Sequence, residues 1–421
     1  MFKIKAYIQL QVRAGALQFT IAFALLVLLI MLSFILFQQL RKKELIYLRV
    51  NGDLTLDVKS AMLILEESAD LFKQSSFYIH PGGFFDSIQI NIKEWGLFHH
   101  VEICNQKHQL KQRKCFIYSD DIKKNKLKPS LYFSDPHRYL SIGGNTFLGT
   151  ETYLPAYGIR ATYLNGVGFF RDSLVQGISH TADDELPLLN SAITNKYDSL
   201  YNSINSYDSI VHLNSISTDS IANSFKNNRL IIFCPEETIL NNISFIGNIM
   251  IVGDHIDIRN TTGIENCIVL AKSIRIEDQF HGCGQFIVKE SISAGDSCNF
   301  LYPTIFHSSS NSIAGKIYVG TGSFFSGEII YPQLVSEEIE VITLGEKSKI
   351  IGQVYCNGII SFEGTLFGSM YCRGFIFRTY NSINNNLLFN VCIDRSRLPL
   401  EYGGITLTEE SNGKKCILEV F

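Results

Sequence analysis

The sequence predicts a mainly β protein: an N-terminal transmembrane helix, a short α/β region, then a parallel β-solenoid with a partly helical insertion. Three observations carry that expectation. An uncharged, almost wholly apolar stretch lies near the N-terminus. Apolar residues recur at an interval of 18 between 252 and 294. A seven-residue pattern rich in Gly, Tyr and Cys at 352–358 returns 16 residues later.

The first element is the span. Residues 1–13 form a basic leader carrying Lys3, Lys5 and Arg13, and 14–40 hold no charged side chain. Between Phe19 and Phe37 only Thr20 and Ser33 interrupt the apolar run. Nineteen helical residues rise about 28 Å, close to the hydrocarbon thickness of a bilayer. A cleaved secretory signal would need a shorter apolar core and a small-x-small site. The run ends instead in Gln38-Gln39-Leu40-Arg41-Lys42-Lys43, with nothing small, so the expectation is an uncleaved anchor in the inner (cytoplasmic) membrane. Lys/Arg counts on the two sides nearly tie and lean slightly against export, although long domains translocate largely regardless of charge. An extracytoplasmic body is expected.

Arg13-Ala14-Gly15-Ala16-Leu17 followed at once by the apolar helix resembles the start of type IV pilin-like proteins, and is most similar to the pseudopilin-K and minor-pilin type. That resemblance implies leader removal by a prepilin peptidase between Gly15 and Ala16. Most pilins carry Glu where this chain has Thr20, a variation the K-type tolerates. The resemblance covers about the first 60 residues.

Residues 41–137 read as a helical stalk and a small α+β region. Asn51-Gly52 is a turn signal that should break the helix. Val58, Ala61, Met62, Leu65 and Ala69 return to helical spacing, with Thr55 or Asp57 as cap. Ile88-Gln89-Ile90-Asn91-Ile92 alternates as a strand, and Cys115–Tyr118 comes after a basic turn at 111–114.

The coils are the most informative part. Ile256, Ile274 and Ile292 are spaced at 18, as are Val252, Leu270 and Val288. These six are the expected core ladder. Gly352-Gln353-Val354-Tyr355-Cys356-Asn357-Gly358 recurs as Gly368-Ser369-Met370-Tyr371-Cys372-Arg373-Gly374. Repeats of 16 to 18 residues with apolar ladders and Gly corners suit parallel coils that stack equivalent side chains. The expected division is first coils at 138–183, an Asn/Ser-rich helical insertion at 184–228, the main solenoid at 229–395 and a C-terminal cap at 396–421. In that cap, Ile405–Leu407 and Cys416–Leu418 would pair as a hairpin over the open end. The coil spacing and Gly-x-[IV] texture are similar to bactofilins, polymer-forming β-helical scaffolds. That resemblance is architectural and does not transfer function.

Composition narrows the function classes. The chain has 421 residues, a formal net charge of -3, 18% charged residues, 19 Tyr, 30 Phe and one Trp. Such a chain buries a large core and has no general attraction for nucleic acid. The 10 cysteines include no CxxC pair, so no metal ligand set is expected. Buried Cys packing as a small hydrophobe accounts for them. The charged positions Asp254, Asp257, Arg259, Arg275, Glu277 and Asp278 would stack on successive coils as surface ladders. His281-Gly282-Cys283-Gly284 reads as a tight turn, and His99-His100 as structural. No phosphate loop occurs. The expectation is therefore no catalytic residue, no cofactor and no enzyme.

The functional expectation is a membrane-anchored structural or assembly protein displaying a β-solenoid. Its partners would be the bilayer and, on the pilin resemblance, other pilin-like or envelope-assembly proteins. The alternatives are a membrane-tethered carbohydrate-binding or polysaccharide-active β-helix, and a cytoplasmic bactofilin-like scaffold.

Overall fold

The computed structural model describes residues 2–80, 87–107, 109–124, 129–204, 208–310, 315–334, 339–407 and 413–421, with the side chains of 1–14 outside the description. The chain is mainly β, with a long apolar N-terminal helix and a large parallel sheet. It divides into two compact units. One comprises Met1–Ala61, Ile79–Ile88 and Cys104–Gln112; the other comprises Met62–Tyr78, Gln89–Ile103 and Arg113–Phe421.

A single helix runs from Phe2 to Glu67, and it alone among the described residues is long and apolar enough to cross a membrane. From Leu17 to Leu40 its large apolar side chains are exposed. The expected break at Asn51-Gly52 is absent. Gly in a helix costs only about 1 kcal/mol against Ala, and Thr55 Oγ1 donates back to the Asn51 carbonyl at 2.9 Å. The helix is held instead by a buried stripe at Val50, Leu54, Val58 and Ala61, the spacing of one helical face. Within the first unit Asp57 accepts from Lys107 at 2.8 Å and from Asn105 at 3.0 Å.

Strands Ser76–Ile79, Ile88–Trp95, Phe98–Lys107, Leu110–Asp120 and Lys414–Val420 make a small sheet in that order. Here the expected C-terminal cap needs correction. Cys416 pairs antiparallel with Tyr118 and Val420 with Cys115, so the C-terminus completes a sheet edge rather than folding as a hairpin over the coils. The strand gains a partner in a formed sheet there, with one irregularity between Cys416 and Leu418, whereas an isolated hairpin is only marginally stable.

The parallel sheet occupies the rest of the second unit. Strands Ile249–Ile258, Gly263–Ile276 and His281–Ala294 stack in parallel, and one column of partners runs Thr238, Ile256, Ile274, Ile292, Ile317, Ile342, Ile360 and Phe375. Inward side chains of this column belong to one buried core with Phe245, Phe286 and Phe306. The steps Ile292 to Ile317 and Ile317 to Ile342 lengthen to 25 residues, and Ile360 to Phe375 shortens to 15, because corners gain or lose residues without disturbing the ladder.

Two features of the stack depart from expectation. Strands Ser209–His212 and Ser220–Asn223 already pair into it, so the coils resume before residue 229. The coils at 131–181 do not precede the main stack in space. Leu131–Phe133 pairs with Met370–Cys372, Phe147-Leu148 with Cys392-Ile393, and Gln176–Thr181 with Gly149–Leu154. The earliest coils therefore lie beyond the latest ones, and Gln176–Thr181 and Ser209–His212 are opposite ends of the sheet.

Segment 182–204 must then traverse the stack, and its contacts record the passage. The Asp183 N–H donates to the Tyr132 hydroxyl at 3.3 Å, Tyr355 donates to the Pro187 carbonyl at 3.1 Å, and His307 Nε2 lies 2.7 Å from the Ile193 carbonyl. Arg229 reaches the Ser203 carbonyl at 3.2 Å. The strap contains short helices Ser191–Thr194 and Lys196–Asn202. It buries Leu186, Ile193, Tyr197 and Leu200 against Met250, Leu270, Ile287 and Tyr355.

Candidate functional site

The residues singled out by sequence fall into separate places. Gly15 and Ala16 sit inside the continuous helix, exposed, with nothing within 4 Å of the position a Gly15 Cβ would take. Ile256, Ile274 and Ile292 are register partners with 1–2% exposure, facing the inner core. Val252 pairs with Leu270, but Leu270 pairs with Ile287 and Val288 with Ala271. An irregularity between Ala271 and Ser273 shortens the interval locally by one residue. Because a one-residue slip exchanges the two faces of a strand, Val252, Leu270 and Ile287 line the outer core under the strap, whereas Val288 faces the inner one.

The charged face at 254–278 is a paired ladder. Lys272 meets Asp254 at 2.6 Å, Arg259 meets Glu277 at 3.2 Å, and Asp257 is the register partner of Arg275. Asp278 Oδ1 accepts the Asp296 N–H at 2.9 Å. Asp257, Arg259, Arg275, Glu277 and Asp278 line a shallow cavity of about 270 Å³. Glu277 is spent on Arg259 and the Asn260 N–H, and Asp278 on a backbone N–H of the next coil, which is how a stacked surface satisfies its charges.

None of the ten cysteines is in a disulfide. Burial pushes Cys283 and Cys298 above the ordinary thiol range, and pushes Cys234 up to about 11. Thiols so placed stay protonated and inert. Asp135, His137 and Asp184 approach one another closely enough to suggest a cation site. Asp135, however, already accepts the His137 N–H at 2.7 Å and the Ala156 N–H at 2.9 Å, so its carboxylate is the pivot of a turn.

A polar column that sequence spacing missed runs down the outer face of the stack. Gln285, Ile305, Glu328, Gln353 and Ser369 are successive register partners. Its polar members hold segments from elsewhere in the unit. Gln285 Oε1 accepts the Leu97 N–H at 2.7 Å while its Nε2 donates to the Trp95 carbonyl at 2.9 Å. This grip needs Gly96, at φ 60°, where a Cβ would fall 2.0 Å from Gln285 Oε1. Gln353 Nε2 donates to both Glu328 oxygens at 3.1 Å and to the Ile405 carbonyl at 2.9 Å. Tyr402 donates to Glu328 at 2.9 Å, and Arg395 donates to Ser369. Burial is the main influence on Glu328 and raises its carboxyl to about 8, against the pull of Gln353 and Tyr402.

Two cavities flank the Trp95–Phe98 turn. The first, about 330 Å³, is lined by Phe72, Glu94, His99, Asp120, Lys196 and Lys414 among others. Lys414 meets Asp120 at 2.6 Å and Lys196 meets Glu94 at 3.0 Å. Burial first, and Lys414 second, lower His99 to about 4, so a neutral imidazole lies 3.1 Å from the Lys414 ammonium and accepts from it. Each cation here has its carboxylate, and the arrangement fastens the strap and the C-terminal strand to the small sheet. The second cavity, about 310 Å³, has Trp95, His100, Phe225 and Arg229 in its wall.

No family model and no curated protein matches this chain. Among solved structures, the chain is similar to the competence-associated pilin ComZ from Thermus thermophilus at 7% identity and a TM-score of 0.22, with 82% of this chain and 86% of that one covered, below the level at which a common fold is shown.

Proposed function

We propose that this chain is a membrane-anchored structural or assembly protein that displays a β-solenoid outside the inner membrane, as a minor pilin-like component. The observation that carries the reading is the helix Phe2–Glu67. About 20 apolar residues suffice to span a bilayer, and the exposed stretch Leu17–Leu40 supplies them. The same helix continues beyond the span through Arg41, Lys42 and Lys43, so anchor and stem are one element. In water the exposed apolar surface would be unfavourable by roughly 25 cal/mol per Å²; a bilayer removes that cost.

The pilin-like part of the reading rests on Gly15-Ala16 at the head of the span. Cleavage there would place a new amine on Ala16, beside an uncharged helix start whose Thr20 hydroxyl is turned back onto the Leu17 carbonyl at 2.8 Å. Without an acidic side chain at position 20, the subunit lacks a carboxylate to receive a neighbour's amine. That suits a terminal or minor position in an assembly. Mass spectrometry of the protein extracted from native membranes tests this. A mature N-terminus at Ala16, abolished by Gly15→Leu, supports the pilin-like role; an intact N-terminus reduces the segment to an ordinary signal anchor.

A further inference from the structure

The parallel sheet ends on two bare strands, Gln176–Thr181 at one end and Ser209–His212 at the other. Every residue of Gln176–Thr181 is exposed, and so are Ser209, Ile210 and His212. An edge strand offers a row of unpaired N–H and C=O groups, which proteins blunt with charge, Pro, a bulge or a cover. Neither strand contains Lys, Arg, Asp, Glu or Pro. Neither pairs with a register shift, and nothing among the described residues covers them. Terminal coils of a stacked protein need a polar outer face to stay soluble. This last coil instead exposes Tyr163 at 72%, Phe170 at 69% and Ile178 at 65%.

The two edges also match each other. Tyr355, Tyr371, Tyr132, Tyr153 and His180 are successive register partners on the outer face of the stack. Their rings follow one another at 6.0, 6.1, 5.0 and 4.9 Å, with neighbouring planes 18–33° apart. The column ends on the exposed ring of His180. Followed the other way from Tyr355, the same column passes through Leu270, Val252 and Phe233 and ends on His212. The His212 ring lies 6.2 Å from that of Phe233. One column therefore finishes on a histidine at both ends of the sheet. Two residues earlier in each edge strand stands an exposed isoleucine, Ile178 and Ile210, and side chains two apart on a strand share a face.

Every pairing along that column is parallel. A second copy moved along the stack therefore meets the first strand to strand, in the direction the coils already use. With Ile178 set on Ile210, Ser179 falls on Val211 and His180 on His212. Neighbouring strands lie about 4.7–4.9 Å apart, so the new contact repeats the coil-to-coil contact inside the chain. It makes a short parallel ladder, stacks two isoleucines, and carries the ring column from Tyr153 through both histidines to Phe233. The two surfaces differ, so each partner keeps one free end and the association does not close.

We propose that the sheet end at Gln176–Thr181 docks the Ser209–His212 end of a second copy of this chain, so that the β bodies assemble head to tail. The contact uses residues of the second unit alone. It owes nothing to leader processing or to packing between membrane helices, so this proposal and the pilin-like reading can fail separately.

The test uses the full chain in detergent micelles. In sedimentation velocity, wild type should grow beyond a dimer as its concentration rises from about 1 to about 100 µM, because every head-to-tail oligomer keeps a free end. Ile178→Lys and Ile210→Lys each put a charge on an exposed edge position. Each should weaken association about tenfold or more while the thermal midpoint stays that of wild type. Cysteine pairing then reads the register. Ile178→Cys and Ile210→Cys are made as separate proteins, since adjacent strands suit a disulfide, whose Cα atoms lie about 4.4–6.8 Å apart. Mild oxidation of the mixture should give a disulfide-linked dimer. Neither variant alone should give one, nor should wild type with its own ten cysteines. A monomer at every concentration, association that both Lys variants leave unchanged, no cross-link in the mixture, or a cross-link formed by one variant alone would overturn the proposal.

Discussion

Gly352 and Gly368 are register partners on adjacent coils, and a Cβ on Gly368 would lie 1.7 Å from the Gly352 carbonyl oxygen. Gly368 adopts φ 155°, a conformation L side chains rarely take, and Gly352 at φ 141° stands in the same relation to Gly327. The corner closes only because three successive coils present no side chain there. Gly368→Ala should therefore destabilise the body by about 3 kcal/mol or more. Chemical denaturation of the purified full chain checks this; a loss under about 1 kcal/mol would mean that the corner adjusts.

Ile274 sits inside the column from Thr238 to Phe375, between Ile256 and Ile292. Ile274→Ala removes three carbons from a site that neighbouring coils hold open, and should cost about 2–5 kcal/mol. Its sequence neighbour Arg275 points outward and is exposed, so Arg275→Ala should change stability by no more than about 0.5 kcal/mol. Urea midpoints of the two variants, compared with wild type, measure the contrast between the faces.

Glu328 gives the body a pH dependence of definite sign. Its carboxyl is raised in the folded state to about 8, so the folded protein holds this proton more tightly than the unfolded chain does. The resulting stabilisation is fully present below the ordinary carboxyl range and is lost as pH rises through about 8. Glu328→Gln removes the titration and keeps an oxygen for Gln353 and Tyr402. Relative to wild type, the variant should gain on the order of 3 kcal/mol between about pH 5 and about pH 9. Thermal melts across that range decide it; parallel curves for the two proteins would place the pH dependence elsewhere.

The legible part of the fold is the part that repeats. A parallel ladder writes its interval into the sequence, which is why the spacing of Ile256, Ile274 and Ile292 points to one face. It does not write bulges: the slip near Ser273 moves Val288 to Ala271 with no change in residue type to announce it. Nor does a local repeat say which coil stacks on which. Leu131–Phe133 joins Met370–Cys372 across more than half the chain, and only the long strap at 182–204 hints at such a return. Asn51-Gly52 misleads because the stripe from Val50 to Ala61 outweighs one glycine. Glu328 had a faint signal, a lone charge between Gly327 and Ile329-Ile330-Tyr331. The cavity at Trp95 had none, since its wall is assembled from residues at 93–100, 199–208 and 225–248.

The proposed membrane span carries its own test. Leu29 lies near the centre of the exposed apolar stretch. Leu29→Arg should raise the cost of insertion by about 2.5–3.5 kcal/mol, and so increase the fraction released by alkaline carbonate. Wild type should remain in the membrane pellet.

The central claim, a β body anchored by this helix and displayed outside the inner membrane, is tested most directly by site-specific proteolysis. Tyr380 is fully exposed, at 103%, in the turn between strands Thr365–Arg378 and Ile383–Asn385. A recognition sequence for a site-specific protease inserted after Tyr380 makes cleavage a report of which side of the membrane the body occupies. The account predicts cleavage in spheroplasts with intact membranes. Protection there, with cleavage appearing only after detergent opens the membrane, would contradict it and place the body in the cytoplasm.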